Sequence, residues 1–226
     1  MKSKCVCGKA WTELRLKGLR SPSRSTAVRD RLVLWHLLDC SKNASWHSRH
    51  LSALDEITVS LGSAFIHVQR EPMIDPSSSS GLRGDLSIRL RSRTDNIMDL
   101  SIVNPLSGSR YIPARCTPLD HLGFAETIKR TKYRSLNNIP NKAFTPFIMS
   151  VFGAFGQAAV QWLTDVGLYI HENCPWIDAT SWKRKLVRNL ALVVQEENWS
   201  MLARGCKRIS VRKLNNTEAQ VAAISH

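Results

Sequence analysis

The chain has 226 residues, 43% of them hydrophobic, a formal net charge of +14 and a pI near 10.0. That length holds one medium domain with appendages or two small ones, and that apolar content builds a core, which excludes a wholly disordered chain. No run approaches the roughly 18 apolar residues of a membrane span, and the N-terminus MKSKCVCGKAW lacks the apolar segment of a secretory signal, so a reducing, intracellular setting is expected.

In chain order, the first feature is Cys5-Val6-Cys7 followed by His36 and Cys40. Thiolates and imidazole suit zinc, and C-x-C with H-x3-C supplies the four ligands of a closed tetrahedral site. The two half-sites are separated by a long polar stretch that includes SPSRSTAVRD. Its closure costs entropy that grows only slowly with length. The alternative is that Cys7 and Cys40 are ordinary thiols and His36 a surface or core histidine. His47 and His50 are spare ligands.

From Arg49 to Leu61, the leucines at 51, 54 and 61 with Ile57 or Thr58 repeat at helical period, and Gly62 stands where such a helix ends. AFIHVQ (64–69) predicts a short strand closed by Glu71-Pro72, and DPSSSSG (75–81) a loop. LSIRLR (86–91) and NIMDLSIV (96–103) predict two strands joined as a hairpin. In antiparallel neighbours Asp85 and Asp99 lie side by side, where two carboxylates repel unless a cation or protons offset them. The other reading has Asp85 capping a turn and Asp99 as a solvated strand residue.

After the loop SGSRYIPARCTP, a helix beginning near Leu119 carries Leu122, Ala125, Ile128 and Leu136 at helical spacing. Lys132, four residues after Ile128 and four before Leu136, is expected on the face turned to the sheet, with Lys129 one turn earlier. An inward lysine must meet an anion, or else it snorkels to solvent. AFTPFIMSVFG (143–153) predicts a fourth strand. GQAAVQWLTDVGLYI (156–170) predicts a helix facing inward through Ala159, Trp162, Leu163, Val166 and Ile170. A last helix is expected over 181–205, capped by Ser181, with the final twenty residues frayed. Its early Lys183, Arg184, Lys185 and Arg188 oppose the helix dipole and suit contact with phosphates.

Charge is uneven along the chain. Residues 1–60 carry 11 basic and 5 acidic residues, 61–180 carry 12 and 10, and 181–226 carry 9 and 3. Basic ends flank a nearly neutral centre, the pattern of a polyanion binder whose middle gathers carboxylates around a cation. Two carboxylates and a lysine are the minimum set for metal-assisted cleavage of a phosphodiester. P-loop, GxGxxG and GxSxG motifs are absent, so nucleotide-binding enzymes and serine hydrolases lack support, and no small-molecule cofactor is expected.

The ordered features are Cys5-Val-Cys7-Gly8, His36…Cys40, Arg49-His50, Glu71-Pro72, Arg83-Gly84-Asp85, Asp99-Leu100-Ser101, Lys129…Lys132-Tyr133 and Phe144…Gly153. Together they resemble the PD-(D/E)XK restriction-endonuclease-like domain at the C-terminal end of non-LTR retrotransposon reverse transcriptase proteins, over roughly residues 5–170. The resemblance implies an α/β (α+β) fold, a central mixed four-stranded sheet flanked by helices. Residues 1–45 would be a zinc-knuckle-like basic segment, 46–172 the endonuclease-like core and 173–226 a basic helical extension. It implies DNA, or RNA, as partner, a nuclear location, Mg²⁺ as cofactor and Zn²⁺ in the knuckle on Cys5, Cys7, His36 and Cys40. Asp85 and Asp99 would bind the metal, Lys132 would activate the attacking water, and Lys129, Tyr133, Arg49 and His50 would contact substrate. Glu56 is a further carboxylate. The chain departs from the family at Gly84, where proline is usual, at Ser101, where the simplest motif has lysine, and in the long knuckle insert. No reverse-transcriptase portion precedes the domain, so a detached part of a mobile element is expected.

Overall fold

Residues 95–103 alternate along a strand buried on both faces, and this alternation decides where the helices lie. In the computed structural model, which describes residue 38 and residues 45–74, 81–90, 94–105 and 117–224, the elements run in the following order. Helix α1 (Ser45–Ser63) precedes β1 (Val68–Arg70), β2 (Leu86–Arg89) and β3 (Asp95–Val103). Helix α2 (Pro118–Lys132) and a 3-10 turn (Arg134–Asn138) lead to β4 (Lys142–Ser150), then α3 (Gln157–Asn173) and α4 (Ala179–Ile224). The sheet order is β1-β2-β3-β4, with β1–β2 and β2–β3 antiparallel and β3–β4 parallel. The protein is therefore a mixed α/β fold, a four-stranded mixed sheet flanked by helices.

Met98 and Leu100 of β3, with Leu86, Ile88, Phe147 and Met149, face the larger core. That core holds Leu54, Ile57 and Leu61 from α1, the five inward residues of α3, and Leu186, Leu190 and Val194 from α4. Ile97 faces the other side, with Ile74, Tyr133 and Leu136, and Val103 packs there with Leu122, Ala125 and Ile148. Asp99 shares this second face with α2, by the period of two.

The chain divides into a unit of Arg49–Gln195, which holds the sheet, and a second unit whose described residues are Leu38, Ser45–Ser48 and Glu196–Ile224. In the second, Ser48 Oγ donates to Glu197 Oε1 at 3.1 Å. The sheet unit thus takes in the first third of α4, beyond the expected boundary at 172–173. Among the described residues no helix is long and apolar enough to cross a membrane.

Three local expectations change. The strand expected over 64–69 begins only at Val68, because Phe65 takes a left-handed backbone (φ 59°). Its N–H donates to the Gly62 carbonyl while that of Ile66 donates to Leu61, both at 3.0 Å, closing α1 with a Schellman turn. The last helix begins at Ala179, capped by Asp178 rather than Ser181: the Asp178 carboxylate accepts from the Ser181 hydroxyl at 2.5 Å and the Thr180 N–H at 3.1 Å. The same helix continues to Ile224 instead of fraying after 205, since no proline interrupts 206–224.

Glu126, buried on the inner face of α2, accepts from the Ala158 N–H at 3.0 Å, so its carboxylate caps the N-terminus of α3. Gly156 leaves the room, because a Cβ there would overlap Glu126 Oε1.

Gly84 is the tighter case. A Cβ would overlap Ile97 Cγ2 and sit 3.2 Å from the Met98 carbonyl, and the Gly84 N–H donates to Pro72 at 3.1 Å. Proline here would forfeit that bond. Gly84→Ala is expected to destabilise by about 1–3 kcal/mol through overpacking, read as a fall of about 2–10 °C in the thermal unfolding midpoint.

Candidate active site

The β2–β3 register pairs Leu86 with Met98, and one step back along β2 sets Asp85 opposite Asp99. The Asp85 N–H donates to the Met98 carbonyl at 2.9 Å and the Glu71 N–H to the Asp85 carbonyl at 2.9 Å. The Glu71-Pro72 segment is thereby tied to Arg83-Gly84-Asp85. Arg83 and Glu71 also approach to 3.5 Å, but both side chains are exposed and such a pair contributes little.

Asp99 is only 5% exposed. Both of its oxygens are engaged from α2. Lys129 Nζ makes an ion pair with Oδ2, and the Tyr133 hydroxyl lies 2.6 Å from Oδ1. The same hydroxyl is 2.8 Å from the Arg83 carbonyl and accepts from Lys132 Nζ at 3.0 Å. Tyr133 is 1% exposed and stacks on Phe144 with ring centroids 4.3 Å apart. Burial first, then the hydrogen bond to Asp99 and the charges of Asp99 and Asp85, push its phenol well above the usual range. Tyr133 is therefore a neutral donor that fixes the Asp99 carboxylate.

Asp85 has different partners. Its Oδ2 accepts from the Leu100 N–H at 2.6 Å and lies 3.2 Å from His50 Nε2, which is also 3.3 Å from the Leu100 carbonyl. A carboxylate and a carbonyl both accept, so Nε2 of His50 carries the proton. His50 reaches this point because Leu54, Ile57 and Leu61, further along α1, anchor the helix on the sheet.

The structure brings Asp85, Asp99, Lys129, Lys132, Tyr133 and His50 together, with different placements from those expected. Lys132 is exposed and Lys129 is the inward lysine, a correction of the helix phase. The phase had rested on Ile128, which is 46% exposed, and on Leu136, which belongs to the 3-10 turn after α2 has ended. The true inner stripe is Leu122, Ala125, Glu126, Lys129 and Tyr133, spaced at three and four residues. Its signal was present but carried by polar residues. Tyr133 and Arg49, the latter 4% exposed, are interior residues. Glu56 stands elsewhere, accepting from Asn189 at 2.8 Å and from Ser60 at 3.2 Å. Cys5, Cys7, His36 and Cys40 lie outside the described residues. The Leu100 carbonyl, a backbone group, had no side-chain signal to find it by.

The donor set bears on a metal. Two carboxylates and a carbonyl are hard oxygen donors, and Mg²⁺ takes one or two carboxylates when water and substrate phosphate complete its shell. Each of these donors already faces an N–H group: Asp99 holds the Lys129 ammonium, and Asp85 with the Leu100 carbonyl holds the His50 imidazole. Among the described residues no group of three or more His, Cys, Asp or Glu is placed to hold a metal ion. In donor type alone the set suits a hard cation, which would have to displace those N–H partners. No protein-family model matches the chain, and no curated protein matches it.

The raised phenol of Tyr133 has a consequence for stability. Its contribution is fully present below the ordinary tyrosine value near 10 and is lost as pH rises above that toward the raised folded value. In urea titrations from pH 8 to 11, the native chain should lose stability above pH 10 more steeply than Tyr133→Phe. Identical alkaline slopes would contradict the assignment.

Proposed function

We propose that residues 49–195 form a restriction-endonuclease-like domain, of the type in non-LTR retrotransposon reverse transcriptase proteins, that nicks DNA with Mg²⁺. The observation that carries this reading is the buried Asp99 carboxylate, facing Lys129 and set opposite Asp85 across the β2–β3 pair. The net charge of +14 supports a polyanionic substrate. DNA within the nucleus is the partner this reading takes.

The reaction is hydrolysis: water adds to phosphorus, one ester oxygen leaves, and an alcohol and a phosphate monoester result. Asp85, Asp99 and the Leu100 carbonyl would hold Mg²⁺, which supplies neutralisation of phosphate charge and a bound water of lowered pKa. Lys129 takes the place that the sequence pattern assigned to Lys132: its ammonium beside Asp99 orients the attacking water or meets a phosphate oxygen. Lys132, on the solvent side of the Tyr133 hydroxyl, contacts the phosphate backbone. Tyr133 holds Asp99 in place, and the N–H of His50 holds Asp85.

A second reading has a specific observation behind it. Asp99 is satisfied by Lys129 and Tyr133 without any metal, as a structural ion pair would be. A catalytically silent nucleic-acid-binding remnant would keep this arrangement, the fold and the basic surface.

Incubation of the full chain with supercoiled plasmid and Mg²⁺ separates the two. Nuclease action gives nicked circles, none in chelator and none with Asp99→Asn. Lys129→Met should fall about 100-fold or more, in the range of a lost proton-transfer or orienting group. Lys132→Met should lose about tenfold or less, mainly in salt-sensitive binding. Salt-sensitive binding without nicking by the folded protein would establish the silent reading, and no DNA binding at all would overturn both.

A further inference from the structure

Two large aromatic rings stand in water on the sheet unit. Phe65 is 78% exposed and Trp176 is 68% exposed, with ring centroids 6.2 Å apart and planes at 73°. They come from segments more than a hundred residues apart, and the interior ties those segments together. The Cys174 thiol donates to the Ala64 carbonyl at 3.5 Å, and the Ile177 N–H returns to Cys174 at 2.9 Å. The indole of Trp182, in the first turn of α4, donates to the Ser60 carbonyl at 2.9 Å, in the last turn of α1. The two exposed rings therefore form a corner held on a fixed frame.

Phe65 is doubly unfavourable where it stands. Its ring gains no burial, and its φ of 59° occupies the position after a helix end where glycine is the relaxed choice. A strained aromatic aimed at solvent points to a ligand. The charge on the first turns of α4 says which kind. Arg184, Lys185 and Arg188 are exposed on the first turns of α4, the same turns that Trp182 pins against the end of α1. The acid nearest in sequence, Asp178, is committed to capping that helix. Open rings followed by a helix whose first turns carry exposed cations match unpaired bases on a phosphate backbone: bases stack on aromatics irrespective of sequence while cations follow the strand.

We propose that Phe65 and Trp176 form a stacking corner for unpaired nucleotides, with Arg184, Lys185 and Arg188 holding the adjoining phosphates. The proposal takes nucleic acid as partner, as the function above does, but needs no cleavage, so strand binding and nicking fail or succeed separately.

The experiment compares binding of the full chain to an oligothymidine and to a duplex of equal length, each at fixed salt. Trp176→Ala and Phe65→Gly should each weaken single-strand binding about 5- to 100-fold, with duplex binding changed less than twofold. Trp176→Phe, which keeps a stacking face, should restore most of the affinity. Phe65→Gly also relieves the left-handed backbone and should unfold about 2–4 °C higher, so its loss of binding cannot be a loss of fold. Unchanged single-strand affinity, equal losses for strand and duplex, or self-association of the native chain abolished by Trp176→Ala would each overturn the proposal.

Discussion

Asp99 lies 5% exposed in the middle of the sheet, and a carboxylate there costs several kcal/mol unless a cation and hydrogen bonds offset it. Lys129 and Tyr133 provide that compensation from one face of α2. The ammonium must be inward for the carboxylate to be inward, and Tyr133, one turn on, must then be buried beside it. The stack on Phe144 and the bond to Arg83 follow from the same position. One ion pair thus sets the rotation of α2, the burial of Tyr133 and the place where the chain leaves α2 for the 3-10 turn.

The second carboxylate depends on backbone more than on side chains. Asp85 is held by the register of β2 against β3 and by the bond from the Leu100 N–H. That register survives only because nothing larger than hydrogen stands at Gly84, where β3 crosses in contact. Glu126 does comparable work about one turn earlier on the same stripe of α2, its buried charge placed on the N-terminus of α3. Both acids on or facing the inner stripe of α2 are therefore accounted for: one meets a cation, the other a helix dipole.

Where periodicity was strong and apolar, it could be read directly. All five inward residues of α3 are buried, and the two central strands lie where alternation set them, bringing Asp85 and Asp99 opposite each other. Where the inner stripe was built of Glu, Lys and Tyr, apolar spacing pointed to Ile128 and shifted the later part of the stripe by one residue, about 100° of helix, turning the wrong lysine inward. Phe65 misled for a different reason: an aromatic between apolar residues reads as strand, and only the hydrogen bonds closing α1 make it left-handed. The Leu100 carbonyl carried no signal at all, since backbone atoms are common to every residue.

We propose that Asp85 and Asp99 share one cation, which would displace the Lys129 and His50 contacts. Titration of the isotopically labelled chain with Mn²⁺ tests it most directly, because the paramagnetic ion broadens the amides nearest to it. Broadening that begins at Asp85, Asp99 and Leu100 below one equivalent, and is absent in Asp99→Asn, is the predicted result. Broadening that leaves these amides sharp while it spreads over other acidic surface residues would contradict it.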